Sequence, residues 1–266
     1  MASMRRQKSR PGKAAKPRGR GRSKEARAPD GAEQTRLFGL HTAEAALANP
    51  RRTIVRAFAT ENAAHRLRPL LAKRGLVPER ASPKELDRML GADAVHQGIV
   101  LDVEPLPPLA LDQVETGGLL LVLDQVTDPQ NVGAALRSAA AFGASGLILT
   151  ERHSPPLTGA LAKAASGALD IVPVILVKNL AQTLAELGGR GFLRVGLAED
   201  AEMALEKVTL TRPLALVLGA EGKGLRRLTR ERCDLICRIS TQSALASLNV
   251  SNAAAVALHW ANRNAR

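Results

Sequence analysis

Three short segments of this chain carry polar side chains at spacings from which chemistry could be done. The first is Asp128-Pro-Gln-Asn131-Val-Gly133-Ala-Ala-Leu-Arg137, which sets a carboxamide near a predicted helix start. A guanidinium follows about a turn and a half further on. The second is Gly219-Ala-Glu221-Gly222-Lys223-Gly224-Leu225, and the third is Ser247-Leu248-Asn249-Val250-Ser251-Asn252. Each follows a predicted strand, and open α/β sheets bind ligands beyond the carboxyl ends of their strands. Residues 219–224 match neither GxxxxGK[ST] nor GxGxxG, which removes the phosphate cradle, and no GxGxxG turn follows an early strand, as a nicotinamide-dependent oxidoreductase would need. Taken singly, a Gly-rich turn is usually only a turn, and a lone Arg on a helix is usually a solvated face. Their order along the chain is what carries information.

The remaining chemistry-bearing residues point away from a metal. His41, His65, His96, His153 and His259 are scattered without ligand spacing. Cys233 and Cys237 lie four apart around a predicted strand over 234–239, where they read as two small hydrophobes on one buried face.

The elements that must position the three segments can be read from hydrophobic patterning. Residues 119–123 form an unbroken apolar run of the kind that strands buried on both faces show. Pro129 suits the first turn of a helix running to about Phe142. Strands are predicted over 146–150, 171–177, 192–198, 214–218 and 233–240, and helices over 157–165, 180–187 and 249–264. Strand and helix alternating in this way predict a parallel, doubly wound α/β sheet. Before it, residues 37–103 read as a smaller α/β unit, with helices over 42–48, 63–74 and 83–89 and strands over 53–59 and 96–101. The Pro-rich stretch at 105–108 marks a boundary. The expected organisation is a basic tail (1–34), a first domain (35–104), a linker (105–116) and a second domain (117–266).

Charge is distributed unevenly. Residues 1–28 hold 11 Lys or Arg against Glu25 alone, so that +10 of the formal +13 sits in the tail. With almost no large apolar residue, the tail is expected to be disordered. It suits either a contact with the phosphates of RNA, made by counterion release, or solubility alone. No secretory apolar region or transmembrane span is predicted, which favours the cytoplasm.

In order and spacing, the three segments resemble the signature motifs of the SpoU (TrmH-like) branch of the SPOUT RNA ribose methyltransferases, over about residues 117–266. Residues 37–103, with Gly39-Leu-His-Thr-Ala-Glu44 and His96-Gln-Gly98, resemble the L30e-like substrate-binding domain of the family's ribosomal-RNA members. Shorter transfer-RNA members generally lack that domain. The resemblance therefore implies S-adenosylmethionine as methyl donor and the ribose 2′-hydroxyl of a guanosine in 23S (large-subunit) rRNA as acceptor, with rRNA favoured over tRNA. Two alternatives are a tRNA 2′-O-methyltransferase and a non-catalytic ribosome assembly factor on the same scaffold.

The same resemblance implies a C-terminal trefoil knot and a homodimer formed around the last helix; from the histidine and cysteine spacing no metal is expected. The resemblance places the family's catalytic positions on Asn131, Arg137, Glu221, Ser247 and Asn249, and its cofactor-binding positions on Gly219, Ile239 and Leu248. In this reading Arg137 pairs with the target phosphate and stabilises the developing alkoxide, held by Asn249 and Ser247, while Asn131 and Glu221 brace the loops. A guanidinium is too hard to deprotonate to serve as the base. For Glu221 a helix-capping role is as consistent as direct chemistry. The chain departs from the family at Ser243-Ala244, where a Gly-Ser pair is common. With four Phe, one Trp and no Tyr, aromatic stacking platforms are scarce. Arg51, Arg52, Arg66 and Arg68 are therefore expected either to contact RNA phosphates or to be ordinary solvated surface.

Overall fold

The computed structural model describes residues 1, 35–91, 94–115, 117–157, 159–242 and 247–265. Residues 2–34 of the basic tail and the Ser243-Ala244 departure lie outside the described residues.

The first part of the chain folds as β1 (Thr35–Phe38), α1 (Leu40–Ala48), β2 (Ile54–Ala59), α2 (Glu61–Lys73), β3 (Glu79–Arg80), α3 (Pro83–Leu90) and β4 (Ile99–Val103). Its sheet has the order β1-β4-β2-β3, with β4 antiparallel to β1 and β2, and β3 parallel to β2. The strand expected from His96 begins only at Ile99, because Gln97 and Gly98 both take positive φ and turn the chain. α3 starts as its sequence requires: Pro83 occupies the first turn, and the Ser82 backbone N–H donates to Glu85 at 2.7 Å.

The second part runs β5 (Leu119–Asp124), α4 (Pro129–Ala141), β6 (Gly146–Thr150), α5 (Gly159–Ala165), β7 (Val174–Val177), α6 (Leu180–Gly189), β8 (Leu193–Leu197), β9 (Met203–Ala204), β10 (Leu214–Gly219), α7 (Arg227–Glu231), β11 (Leu235–Arg238) and α8 (Val250–Asn264). All seven strands pair in parallel, in the order β7-β6-β5-β10-β8-β11-β9. β5 shows why an unbroken apolar run is required there. Leu119, Leu121 and Leu123 enter the core shared with α4 and α8, whereas Leu120 and Val122 enter the opposite core beneath α6. A period of two between layers leaves no position for a polar residue until Asp124.

Three expectations are corrected. β7 begins at Val174, because the 3-10 turn over Ala168–Asp170 runs on into a turn in which Ile171 N–H and Val172 N–H both donate to the Ala168 carbonyl. The last strand is shorter than 233–240, and Cys233 lies outside it, just beyond α7. The two cysteines consequently face different layers: Cys237 joins the core of α4 and α8, and Cys233 packs at the edge of the core under α6. Burial pushes the Cys233 thiol up to about 12.

Residues 105–115 do not hang free. Leu109 N–H donates to the Val174 carbonyl at 2.8 Å, and the Arg190 guanidinium donates to the carbonyls of Leu111 and Val114. Among the described residues no helix is long and apolar enough to cross a membrane.

Candidate active site

β5 and β10 are neighbours at the point where the strand order reverses, and their carboxyl ends open the crevice in which such sheets place ligands. Each of the three segments delivers one polar side chain to it. Asp128 caps α4 by accepting from Gln130 N–H at 3.0 Å, which fixes the first turn that carries Asn131. The loop after β10 carries Glu221. Asn249 is the N-cap of α8, its Oδ1 accepting from Ser251 N–H at 2.9 Å and Ser251 Oγ at 2.6 Å.

That capping bond leaves the Asn249 amide nitrogen facing the other two segments. It donates to Glu221 Oε1 at 2.6 Å and to Asn131 Oδ1 at 3.0 Å. Asn131 Nδ2 donates to the same Glu221 oxygen at 3.1 Å, and Val250 N–H joins at 3.3 Å. One carboxylate oxygen thus gathers three N–H groups from α4 and from the start of α8, where the helix dipole also favours negative charge. The Glu221 carboxylate thereby accepts from the start of α8 and joins the loop after β10 to α4.

Arg137 stands apart from this network. It is exposed, about 9 Å along α4 from Asn131 by helical rise, and among the described residues it has no hydrogen-bond or ion-pair partner. The expectation that Asn249 holds Arg137 is corrected: the amide nitrogen of Asn249 is committed to Asn131 and Glu221. Ser247 is exposed and lines the adjoining cleft.

The cleft, of about 640 Å³, lies among the loops after β8, β10 and β11. Gly219, Ile239 and Leu248 all line it, with Leu197 and Leu218 adding apolar wall and Glu221 standing at its edge. This volume falls within the range of roughly 300–1,000 Å³ typical of small-molecule sites. Apolar walls beside exposed backbone suit a purine ring, whose faces want apolar contact and whose edge can be read by backbone groups. The loop over residues 219–225 folds back sharply, with Gly224 N–H donating to the Ala220 carbonyl at 2.8 Å. Only glycine fits at 219, where a Cβ would come within 2.1 Å of the Gly224 carbonyl carbon.

Two residues missed in the sequence hold this loop. Asp124, whose side chain is fully buried at the end of β5, accepts from Arg226 N–H at 3.1 Å and from Arg226 Nε at 2.7 Å. The signal was available, since an acid closes the apolar run of β5. Its partner, 102 residues away, was not legible. Arg230 pairs with Asp200 at the rim of the same cleft, and Ser240 donates to Glu206. Glu206 is held below the usual carboxylate range: burial opposes this, but hydrogen bonds from its own backbone and from Ser240 outweigh it.

The four arginines considered for RNA contact divide. Arg51, Arg66 and Arg68 are exposed. Arg52 is not surface at all: its side chain is 4% exposed and paired with Asp170.

Comparison with known proteins gives concordant matches. Residues 118–259 match the model of the SpoU rRNA Methylase family, and residues 36–109 match that described as RNA 2′-O ribose methyltransferase substrate binding. The chain is 39% identical over 239 residues to a 23S rRNA (guanosine-2′-O-)-methyltransferase RlmB of Pseudomonas putida, covering 86% of this chain and 96% of that protein. It is 42% identical over 236 residues to the protein of the same name from Ralstonia nicotianae, covering 85% and 94%. The crystal structure of the SpoU methyltransferase AviRb from Streptomyces viridochromogenes, in complex with the cofactor AdoMet, superimposes with a TM-score of 0.71 at 24% identity, covering 86% of this chain and 89% of that one.

Proposed function

Since the chain belongs to the SpoU rRNA methylase family, we propose that it transfers a methyl group from S-adenosylmethionine to the ribose 2′-hydroxyl of a guanosine in 23S rRNA. The observation that carries this reading is the convergence of Asn131, Glu221 and Asn249 at the edge of the cleft lined by Gly219, Ile239 and Leu248. The donor is a sulfonium, already activated for displacement of its methyl group by an oxygen nucleophile. What is left to the protein is alignment of that oxygen and stabilisation of the charge it develops.

Residues of this chain divide that work. Gly219, Ile239 and Leu248 hold the donor. Asn131, Glu221 and Asn249 lock the loops of the site to the first turns of α4 and α8, so that little reorganisation accompanies reaction. Arg137, exposed on α4, takes the target phosphate and steadies the charge on the 2′-oxygen as its proton passes to water and the methyl group moves onto it. Ser247 lines the path between them.

The finer architecture belongs to the same proposal. The three loops lining one cleft, with β11 seated between β8 and β9, support a trefoil knot. The β1–β4 sheet is an L30e-like platform for rRNA. α8 is the core of a homodimer interface, supported by Val256, 44% exposed, on its outer face. The protein acts in the cytoplasm.

The test is transfer of a labelled methyl group onto separated ribosomal and transfer RNA that lack the modification, with Arg137→Ala alongside. The expected product is 2′-O-methylguanosine in 23S rRNA, abolished by the substitution. Label in tRNA alone overturns the substrate, and donor binding without transfer to either RNA favours an assembly factor.

A further inference from the structure

The two sheets are joined by more than residues 104–118. Arg52, in the turn between α1 and β2, reaches Asp170, in the 3-10 turn that leads into β7. Nε donates to Oδ1 at 2.8 Å and Nη2 to Oδ2 at 3.0 Å, and both side chains are almost wholly buried, 4% and 2% exposed. Nη1 donates to the Glu104 carbonyl at 2.8 Å, and Asn49 Nδ2 gives Asp170 Oδ1 a further bond at 3.0 Å. Each end of the pair is thus satisfied. Beside it Gly167, at φ +91°, lies against α1 so closely that a Cβ would sit 3.0 Å from Thr42 Cα. Ala43, Ala46 and Leu47 of α1 belong to one continuous apolar core with Ala165, Ala168 and Leu169.

Burying such a pair gives little net stability over apolar packing of the same volume, because desolvation offsets the attraction. What a two-bonded guanidinium–carboxylate fork supplies is direction: both partners must lie in one plane at one separation. We propose that Arg52 and Asp170 form a positioning pair that fixes the β1–β4 sheet at one angle to the methyl-transfer site. This inference rests on the reading of that sheet as the RNA platform. RNA seated on a clamped platform arrives with its target ribose already at a set distance from the cleft. On a swinging platform, only the fraction of molecules in the right pose would be competent.

Asp170→Asn keeps the size and one acceptor of the carboxylate but removes the charge and the symmetric fork. If the released platform holds the productive pose about a tenth of the time, the KM for RNA rises about tenfold. kcat at saturating RNA and donor affinity by calorimetry should stay within about twofold, since neither residue touches the cleft. Small-angle scattering of the full chain should show a broadened distribution of shapes. Arg66→Glu, on the platform's exposed surface, tests the premise separately by raising the KM while leaving the scattering unchanged. The double variant Arg52→Met with Asp170→Leu restores buried volume without the fork, and it should stay folded yet keep the raised KM.

Wild-type KM and scattering in Asp170→Asn, with Arg66→Glu impaired, would overturn the positioning pair and leave the RNA platform standing. Broadened scattering with KM unmoved by either Asp170→Asn or Arg66→Glu overturns it through its premise. Loss of donor affinity and kcat together with KM would show a general structural role, and wild-type KM in the double variant would show that burial alone sets the angle. Either result also overturns it.

Discussion

Glu221 is where the geometry makes its sharpest quantitative demand. Its Oε1 accepts from Asn131 Nδ2, Asn249 Nδ2 and Val250 N–H, at 3.1, 2.6 and 3.3 Å. Glu221→Gln keeps an oxygen able to accept but removes the charge. Bonds to charged groups contribute roughly 1.5–3 kcal/mol and neutral ones about 0.5–1.5, so the change weakens each by about 1 kcal/mol in a dry site. Because Glu221 is exposed, solvent screening cuts this to about half or less. Three bonds then give about 1–1.5 kcal/mol, or a fall in rate of roughly 5- to 13-fold if the network is needed at the transition state. Glu221→Ala removes all three bonds and lets the Asn131 and Asn249 amides turn to water, for which a fall of about a hundredfold is expected. The assay is single-turnover methyl transfer at saturating donor and RNA, with donor affinity measured in parallel. A rate for Glu221→Ala within threefold of wild type would refute the idea that this network organises the site.

Three further outcomes follow from particular contacts. Asn249→Asp retains the acceptor that caps α8 but sets an oxygen against Glu221 where an amide nitrogen had donated, so melting should change by less than about 1 kcal/mol while methyl transfer is lost; melting curves and rates on one preparation check this. Gly219→Ala forces a methyl group into the returning loop, costing about 1–3 kcal/mol of stability, and should weaken donor binding in a calorimetric titration. The hydrogen bond from Arg194, against a smaller effect of burial, holds the Asp234 carboxyl below its ordinary value of 3.8. Its contribution to stability is complete above that value and lost as pH falls through the lowered folded-state value. The melting-temperature gap between wild type and Asp234→Asn should therefore be widest near neutrality and close below about pH 4.

What could be read in advance was local or periodic. The apolar runs of β5 and β10, the Pro129 helix start and the polar segments beyond strand ends all follow from side-chain period and backbone chemistry, whereas Asn131, Glu221 and Asn249 are singled out within those segments by the resemblance to the SpoU family. Pairings across long stretches of chain were not legible. Arg52 looked like any surface arginine because nothing near it in sequence announces Asp170. Asp124 looked like the end of a strand, with no hint of Arg226. The separation of Arg137 from the Asn131–Glu221–Asn249 network was equally hidden, since spacing along α4 fixes its rise and not which neighbours the facing loops present. Cys233 was assigned to the strand because a short helix ending at Glu231 leaves no mark in hydrophobic period.

Asn249 uses its two side-chain atoms for two separate tasks, the oxygen to begin α8 and the nitrogen to join Glu221 to Asn131. The order of events in folding is thereby tied to activity. A nascent chain that has released β5 through β11 but not yet its last helix already holds the carboxylate and one amide, with nothing to bring them together. Methyl transfer then begins only when the first turn of α8 has wound up around Asn249, and on warming it should end when that turn unwinds.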